Sequence, residues 1–119
     1  MEDLKKLKKK QSKYKAVKIV KKEITFDSKL EAAYYEHILM LERTKVLAYH
    51  LRQVPFRLPG CVKYLVDFAL FYSDGKVRYV DVKGVLTQTS TIKIKQVMDL
   101  YPVTIELMTK QDMKSLGII

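Results

Sequence analysis

Tyr64-Leu65-Val66-Asp67-Phe68-Ala69-Leu70-Phe71-Tyr72-Ser73-Asp74-Gly75-Lys76-Val77-Arg78-Tyr79-Val80-Asp81-Val82-Lys83-Gly84 reads as two apolar strands around a turn, with two aspartates and a lysine set into them. β-Branched and aromatic residues fill both arms, and Ser73-Asp74-Gly75 has the composition of a tight turn. A carboxylate buried without a partner is costly, so Asp67 and Asp81 need a compensating charge or ion. Register decides whether they meet. A two-residue Asp74-Gly75 turn would pair Ser73 with Lys76 and send the aspartates to opposite faces of the sheet. A three-residue Ser73-Asp74-Gly75 loop, with Gly75 left-handed, pairs Tyr72 with Lys76 instead. Asp67 then lies directly across from Asp81, and Lys83 shares their face because strand side chains repeat every two residues. The three-residue loop is the expectation.

Two carboxylates about 5 Å apart repel, and Lys83 alone cannot neutralise both. A divalent cation would. All-oxygen ligation suits Mg²⁺ or Mn²⁺, and the backbone carbonyl of Val82 sits where it would add a ligand. Beside such an ion, Lys83 is placed to orient or deprotonate a water, or to stabilise charge on an attacked phosphate. A solvent-facing Asp–Lys ladder on an edge hairpin is the structural alternative for the same three residues.

Outward from the hairpin, Asp27-Ser28 opens a helix. Ser28 and Glu31 have capping-box spacing, and Leu30, Ala33, Tyr34, Ile38 and Leu41 recur at helical intervals until about Arg43-Thr44. Strands are expected at Ile19–Phe26, Ala48–Leu58, Lys63–Tyr72 and Lys76–Lys83, with Pro59-Gly60 parting the second from the third. A second helix should run over Ser90–Tyr101, with Ile94, Val97, Met98 and Tyr101 on one face and Pro102 as its stop. Val103, Ile105 and Leu107 mark a short strand, and Thr109 with Asp112 opens a last helix that Gly117 closes. The order is β-α-β-β-β-α-β-α. It implies an α/β fold, a mixed β-sheet flanked by helices, whose strand-helix-strand unit is a parallel crossover.

The 119 residues suffice for one domain. Charge is unevenly spread along them. Residues 1–22 carry ten lysines against Glu2 and Asp3, whereas residues 23–119 are nearly balanced. The chain therefore divides into a basic N-terminal arm, 1–22, and a folded domain, 23–119. Such an arm gives salt-dependent, sequence-independent affinity for a phosphate backbone, or it serves only as a solubilising tail. Four glycines in the whole chain leave no room for a Walker or dinucleotide loop, so no nucleotide cofactor is expected. No apolar run is long enough for a membrane span, and the N-terminus lacks the apolar stretch of a signal peptide, so the expected place is the cytoplasm. Cys61 is the single cysteine, which excludes an internal disulfide and a cysteine-based metal site. His37 and His50 are isolated and lack metal-ligand spacing. Tyr34, Tyr35, Tyr49, Tyr64 and Phe68 are expected to pack in the core or across strands rather than to stack on bases.

An acid in the first helix, an acid on the second hairpin strand and acid-x-Lys on the next is a layout that resembles the PD-(D/E)XK nuclease superfamily. The order helix, three strands, helix, strand is similar to its αβββαβ, restriction-endonuclease-like core. More closely, the chain resembles short phage and prophage nucleases related to Holliday-junction resolvases. The landmarks are Lys13-Tyr14-x-Ala16, Ile24-Thr25-Phe26-Asp27-Ser28-Lys29-Leu30-Glu31-Ala32, Gln53-Val54-Pro55-Phe56, Tyr64-x-x-Asp67-Phe68 and Asp81-Val82-Lys83-Gly84. Val66 stands where the superfamily's name-giving proline would be, and Asp81 is one methylene shorter than the commoner glutamate.

The resemblance implies a Mg²⁺- or Mn²⁺-dependent DNA endonuclease acting on branched recombination intermediates, in a phage-infected or prophage-bearing bacterial cell. It implies Asp67 as the central metal ligand, Asp81 as the second, Lys83 as the catalytic lysine, and Glu31 as a ligand directly or through water. It also implies 5′-phosphate and 3′-hydroxyl products, and paired nicks would suit a homodimer. Lys8, Lys9, Lys10, Lys13 and Lys15 of the arm, Gln53, and Lys93 and Lys95 of the second helix are the expected DNA contacts. The alternatives are a non-catalytic nucleic-acid binder with a degenerate nuclease fold, or a flap or single-strand nuclease.

Overall fold

The computed structural model describes residues 28–119. The arm 1–22, with Lys8, Lys9, Lys10, Lys13 and Lys15, and the strand expected at Ile19–Phe26 lie outside the described residues. Those described form α1 (Lys29–Arg43), β1 (Leu47–Leu58), β2 (Val62–Tyr72), β3 (Val77–Val82), α2 (Gln88–Leu100), β4 (Ile105–Met108) and α3 (Lys110–Ser115). Among the described residues the fold is α/β, with one mixed four-stranded sheet in the order β1-β2-β3-β4 flanked by helices. That arrangement is compatible with an αβββαβ core. Among the described residues no helix is long and apolar enough to cross a membrane.

The β2–β3 hairpin sets the frame. Tyr72 N–H donates to Lys76 O at 2.8 Å and Gly75 N–H to Tyr72 O at 3.0 Å, so the loop is Ser73-Asp74-Gly75. Gly75 takes φ +92°, open to glycine without steric cost. The ladder then runs Phe71–Val77, Leu70–Arg78, Ala69–Tyr79 and Phe68–Val80. This is the register expected from the three-residue loop. β3 pairs with β4 in parallel, as the intervening α2 crossover requires. Arg78 of β3 clasps Glu106 of β4 with two bonds, Nε to Oε2 at 2.7 Å and Nη2 to Oε1 at 2.8 Å.

Each helix begins where a hydroxyl side chain meets an orphan N–H. Ser28 accepts from Glu31 N–H at the start of α1, and Thr87 accepts from Ser90 N–H at the start of α2. The second helix therefore starts at Gln88, two residues before the expected Ser90. Thr109 and Asp112 close a reciprocal capping box on α3, as their spacing anticipates.

Among the described residues, two clusters make up the interior. In one, Tyr34 and Ile38 of α1 pack on Phe68, Leu70, Val80, Val82, Met108 and Met113. In the other, Ile94 and Val97 of α2 pack with Phe56, Tyr64, Val66 and Ile105. Burying each such side chain contributes roughly 1.5–3 kcal/mol against the entropy of ordering it. Two expectations about these faces change. Met98 is partly exposed, and Met108 rather than Leu107 is the buried residue that ends β4.

The clusters also show where the sheet bends. Residues of one parity in β2 fall into different clusters: Phe68 and Leu70 with α1, Tyr64 and Val66 with α2. The β1–β2 hairpin thus turns from one helix layer to the other between these pairs. At that level Gln53 of β1 has φ +53°, a left-handed backbone unusual for a residue with a side chain. Asp67 lies opposite, between the ladder pairs Arg52–Phe68 and Val54–Val66.

Candidate functional site

The bend opens the sheet at the two aspartates. Beyond Phe68–Val80, carboxylates take over hydrogen bonds that backbone carbonyls make elsewhere in the ladder. Asp67 N–H donates to Asp81 Oδ1 at 2.8 Å. Val82 N–H donates to Asp67 Oδ2 at 2.9 Å. Each acid therefore binds a backbone donor of the other's strand, which locks the two side chains in the same small space. Asp81 is fully buried, whereas Asp67 is partly open.

Tyr64 and Lys83 complete the surroundings of Asp81. The Tyr64 hydroxyl donates to Asp81 Oδ2, and Lys83 Nζ is 3.6 Å from the same oxygen. The ammonium also lies 5.7 Å from the Tyr64 ring centroid, in cation–π range. Burial and the aspartate beside it hold the Tyr64 phenol above its ordinary range, so it stays a proton donor. Lys83 N–H is tied to Met108 O at 3.0 Å, which anchors the lysine's backbone to β4.

Asp67 has fewer compensations. Its carboxyl is pushed up to about 7, first by burial and then by the charge of Asp81, with Glu31 adding to the rise. The Val82 N–H and the Lys83 charge oppose that shift without overcoming it. Gln53 reaches it more loosely, Nε2 to Oδ1 at 3.4 Å. That contact places Gln53 beside the acidic pair.

Glu31 is buried in the first turn of α1, beside Leu30, whose Cδ1 would stand 4.0 Å from a Cβ built on Gly84. The Glu31 carboxylate pairs with Arg52 Nη2 at 3.5 Å. Arg52 in turn covers the rings of Tyr35 and Phe68, at 5.7 and 6.0 Å. Glu31 is thus within electrostatic reach of Asp67 but turned toward an arginine.

The remaining candidates lie elsewhere. Lys93 and Lys95 sit on α2, and Lys95 lines a groove of about 190 Å³ with Leu86, Ile94, Met98 and Leu107 rather than the acidic pair. His50 pairs with Glu42 at 2.8 Å. His37 packs on Tyr34, and burial lowers its pKa. Cys61 is exposed in the β1–β2 turn. Tyr64 and Arg52 are the residues that sequence reasoning did not place here. Tyr64 is expected to pack, and its three-residue spacing to Asp67 would by strand alternation put the two on opposite faces.

A hard divalent cation is tested by the donor set. Among the described residues, no three His, Cys, Asp or Glu side chains are gathered as a metal-binding group. Two carboxylates are brought together, and burial first, then the charge of Asp81, raises the pKa of Asp67. Mg²⁺ keeps several waters and commonly takes only one or two carboxylates from protein, so this pair fits such an ion chemically.

Compared with known proteins, residues 11–116 match a family described as “Protein of unknown function (DUF1064)”. A search of the curated proteins finds no match.

Proposed function

The chain belongs to the DUF1064 family, and we propose that it is a divalent-cation-dependent DNA endonuclease. One observation carries the reading. Two aspartates from neighbouring strands are interlocked, Asp81 accepting the Asp67 N–H and Asp67 the Val82 N–H, with a lysine ammonium 3.6 Å from Asp81. A structural ion pair would need one acid for one lysine. Here a second acid is held in place at an electrostatic cost, which is the signature of a site built for an added positive charge. The resemblance to PD-(D/E)XK nucleases, noted from the same residues, supports the choice of phosphodiester as substrate.

Asp67 and Asp81 would hold Mg²⁺ or Mn²⁺, with the Val82 carbonyl and, through water, Glu31. The ion would polarise the scissile phosphate and make bound water more acidic. The chain's own groups do the rest. Lys83, oriented by Asp81 and the Tyr64 ring, offers its ammonium to a phosphate oxygen or to the attacking water. Tyr64 and the Asp67 N–H hold the Asp81 carboxylate in place. Water attacks phosphorus, the bond to the 3′ oxygen breaks, and that oxygen leaves with a proton. The basic arm would grip backbone beside the cut, inside a bacterial cytoplasm, and a homodimer would place two such sites on a branched substrate.

The test is cleavage of labelled linear, nicked, flapped and four-way DNA by the full chain, with Mg²⁺, Mn²⁺ or chelator. Thermal melting with each metal supplies a readout independent of cleavage. Metal-dependent cutting, together with a melting shift lost in Asp67→Asn, is the expected result. DNA binding without cutting in any metal would leave a non-catalytic binder, the reading that the arm's charge alone supports.

A further inference from the structure

The face of the sheet that carries Asp81 also carries a partly exposed aromatic pair. Tyr49 of β1 lies opposite Phe71 of β2, and Phe71 lies opposite Val77 of β3. The Tyr49 and Phe71 rings stack at 4.4 Å with 10° between their planes. Tyr49 is 50% exposed, Leu51 on the same strand face 49% and Val77 44%. Asp81 is four residues beyond Val77 on β3 and so projects to the same side, about 13 Å away.

The far end of this surface is the hairpin tip. Ser73 Oγ donates to Lys45 O at 2.5 Å and Ser73 N–H to Val46 O at 3.0 Å, so the α1–β1 loop abuts the hairpin tip. Lys45 in that loop is exposed, and the Lys76 side chain at the tip is 81% exposed, 3.9 Å from Asp74. The face thus runs from the hairpin tip, past the stacked rings, toward Asp67, the partly open member of the acidic pair.

From this arrangement we infer that the Tyr49–Phe71 stack receives a nucleobase of an unpaired DNA strand whose phosphate lies at Asp67 and Asp81. The inference rests on the nuclease reading and names its substrate class. Stacked nucleotides advance about 3.4 Å each, so about four bridge the distance from aromatic pair to acids. Every base has a π-face to lay on a ring, and only an unpaired base can turn one outward to a flat platform. A fully paired duplex keeps its bases inside and gains nothing from Tyr49. The substrate is therefore DNA with single-stranded character at or beside the cut.

The experiment measures binding of the full chain to a labelled oligothymidylate, and to the same oligomer with abasic sites, by fluorescence anisotropy in chelator. Chelator removes hydrolysis, so the outcome is independent of whether the aspartates cut. The inference expects Tyr49→Ala to weaken oligothymidylate binding about tenfold, Tyr49→Phe to restore it, and the abasic oligomer to bind both variants alike. It is overturned if wild type does not bind oligothymidylate, if Tyr49→Ala binds it normally, or if the abasic oligomer loses as much. It is equally overturned if Tyr49→Ala converts a sedimenting dimer to monomer with DNA affinity intact, which would make the face a contact between two copies. Retained stacking in a protein that never cleaves would sink the nuclease reading alone.

Discussion

Asp81, fully buried, accepts the backbone N–H of Asp67 at 2.8 Å. A side chain thereby replaces a carbonyl in the ladder, and the two acids cannot separate without breaking the sheet at that point. Substitutions should therefore divide by what they leave behind. Asp67→Asn and Asp81→Asn keep size and an acceptor but lose charge, so both should fold and lose metal-dependent cleavage by more than about a hundredfold. Lys83→Met should do the same. Cleavage rates beside circular dichroism check this, and any one variant cutting at the wild-type rate would remove that residue from the mechanism.

The raised carboxyl of Asp67 has a defined consequence for stability in the absence of metal. Its pKa rises from 3.8 unfolded to about 7 folded. Between those values the folded chain holds a proton that the unfolded chain has released, so this group's contribution to stability falls as pH rises through that window and is lowest above it. Allowing for screening at its partly open position, the loss is about 1–2 kcal/mol. Urea titrations in chelator at pH 5 and pH 8 should show wild type losing more stability between the two than Asp67→Asn. Parallel curves would refute the assignment.

Tyr64 serves Asp81 with its hydroxyl and Lys83 with its ring, and two variants separate these roles. Tyr64→Phe leaves a buried carboxylate short of one donor and should cost about 1–3 kcal/mol. Tyr64→Leu also removes the ring beneath the ammonium and part of the α2 cluster, so it should cost more. Chemical denaturation of both variants gives the answer, and equal costs would mean that the ring does nothing for Lys83.

Gln53 holds a left-handed backbone at φ +53°. Gln53→Gly should relieve roughly 1 kcal/mol of strain while releasing the 3.4 Å contact to Asp67. Gln53→Val, β-branched at positive φ, should destabilise by a similar or larger amount. If glycine lowered stability, the strain would not be there.

The hairpin was legible because its turn is local. Ser73-Asp74-Gly75 needs one left-handed residue, glycine supplies it, and the register of both strands follows. The helix starts were legible to within two residues; Thr87, Thr89, Ser90 and Thr91 all carry cap-forming hydroxyls, and only the path from β3 selects Thr87. Tyr64 and Arg52 were not assigned to the site because their roles depend on the bend at Gln53. No glycine or asparagine announces that bend, and it reverses which cluster a given parity of β2 joins. Alternation alone would have kept Tyr64 and Phe68 on one side of the sheet. Exposure of Met98 was hidden for a related reason, since the spacing of α2 marks a stripe but not how far the sheet extends beneath it.

The division of the interior into two clusters bears on how the chain comes apart. Phe68 and Val66 are neighbours on one strand yet answer to different helices. Amide exchange should therefore resolve two protection levels in β2, with a step across Asp67, rather than one gradual decline toward the hairpin tip. The candidate chemistry would then sit on a seam between two cooperative units. Whatever fastens the aspartates from outside would stitch those halves together, so occupancy of the site would be felt as rigidity along the whole strand.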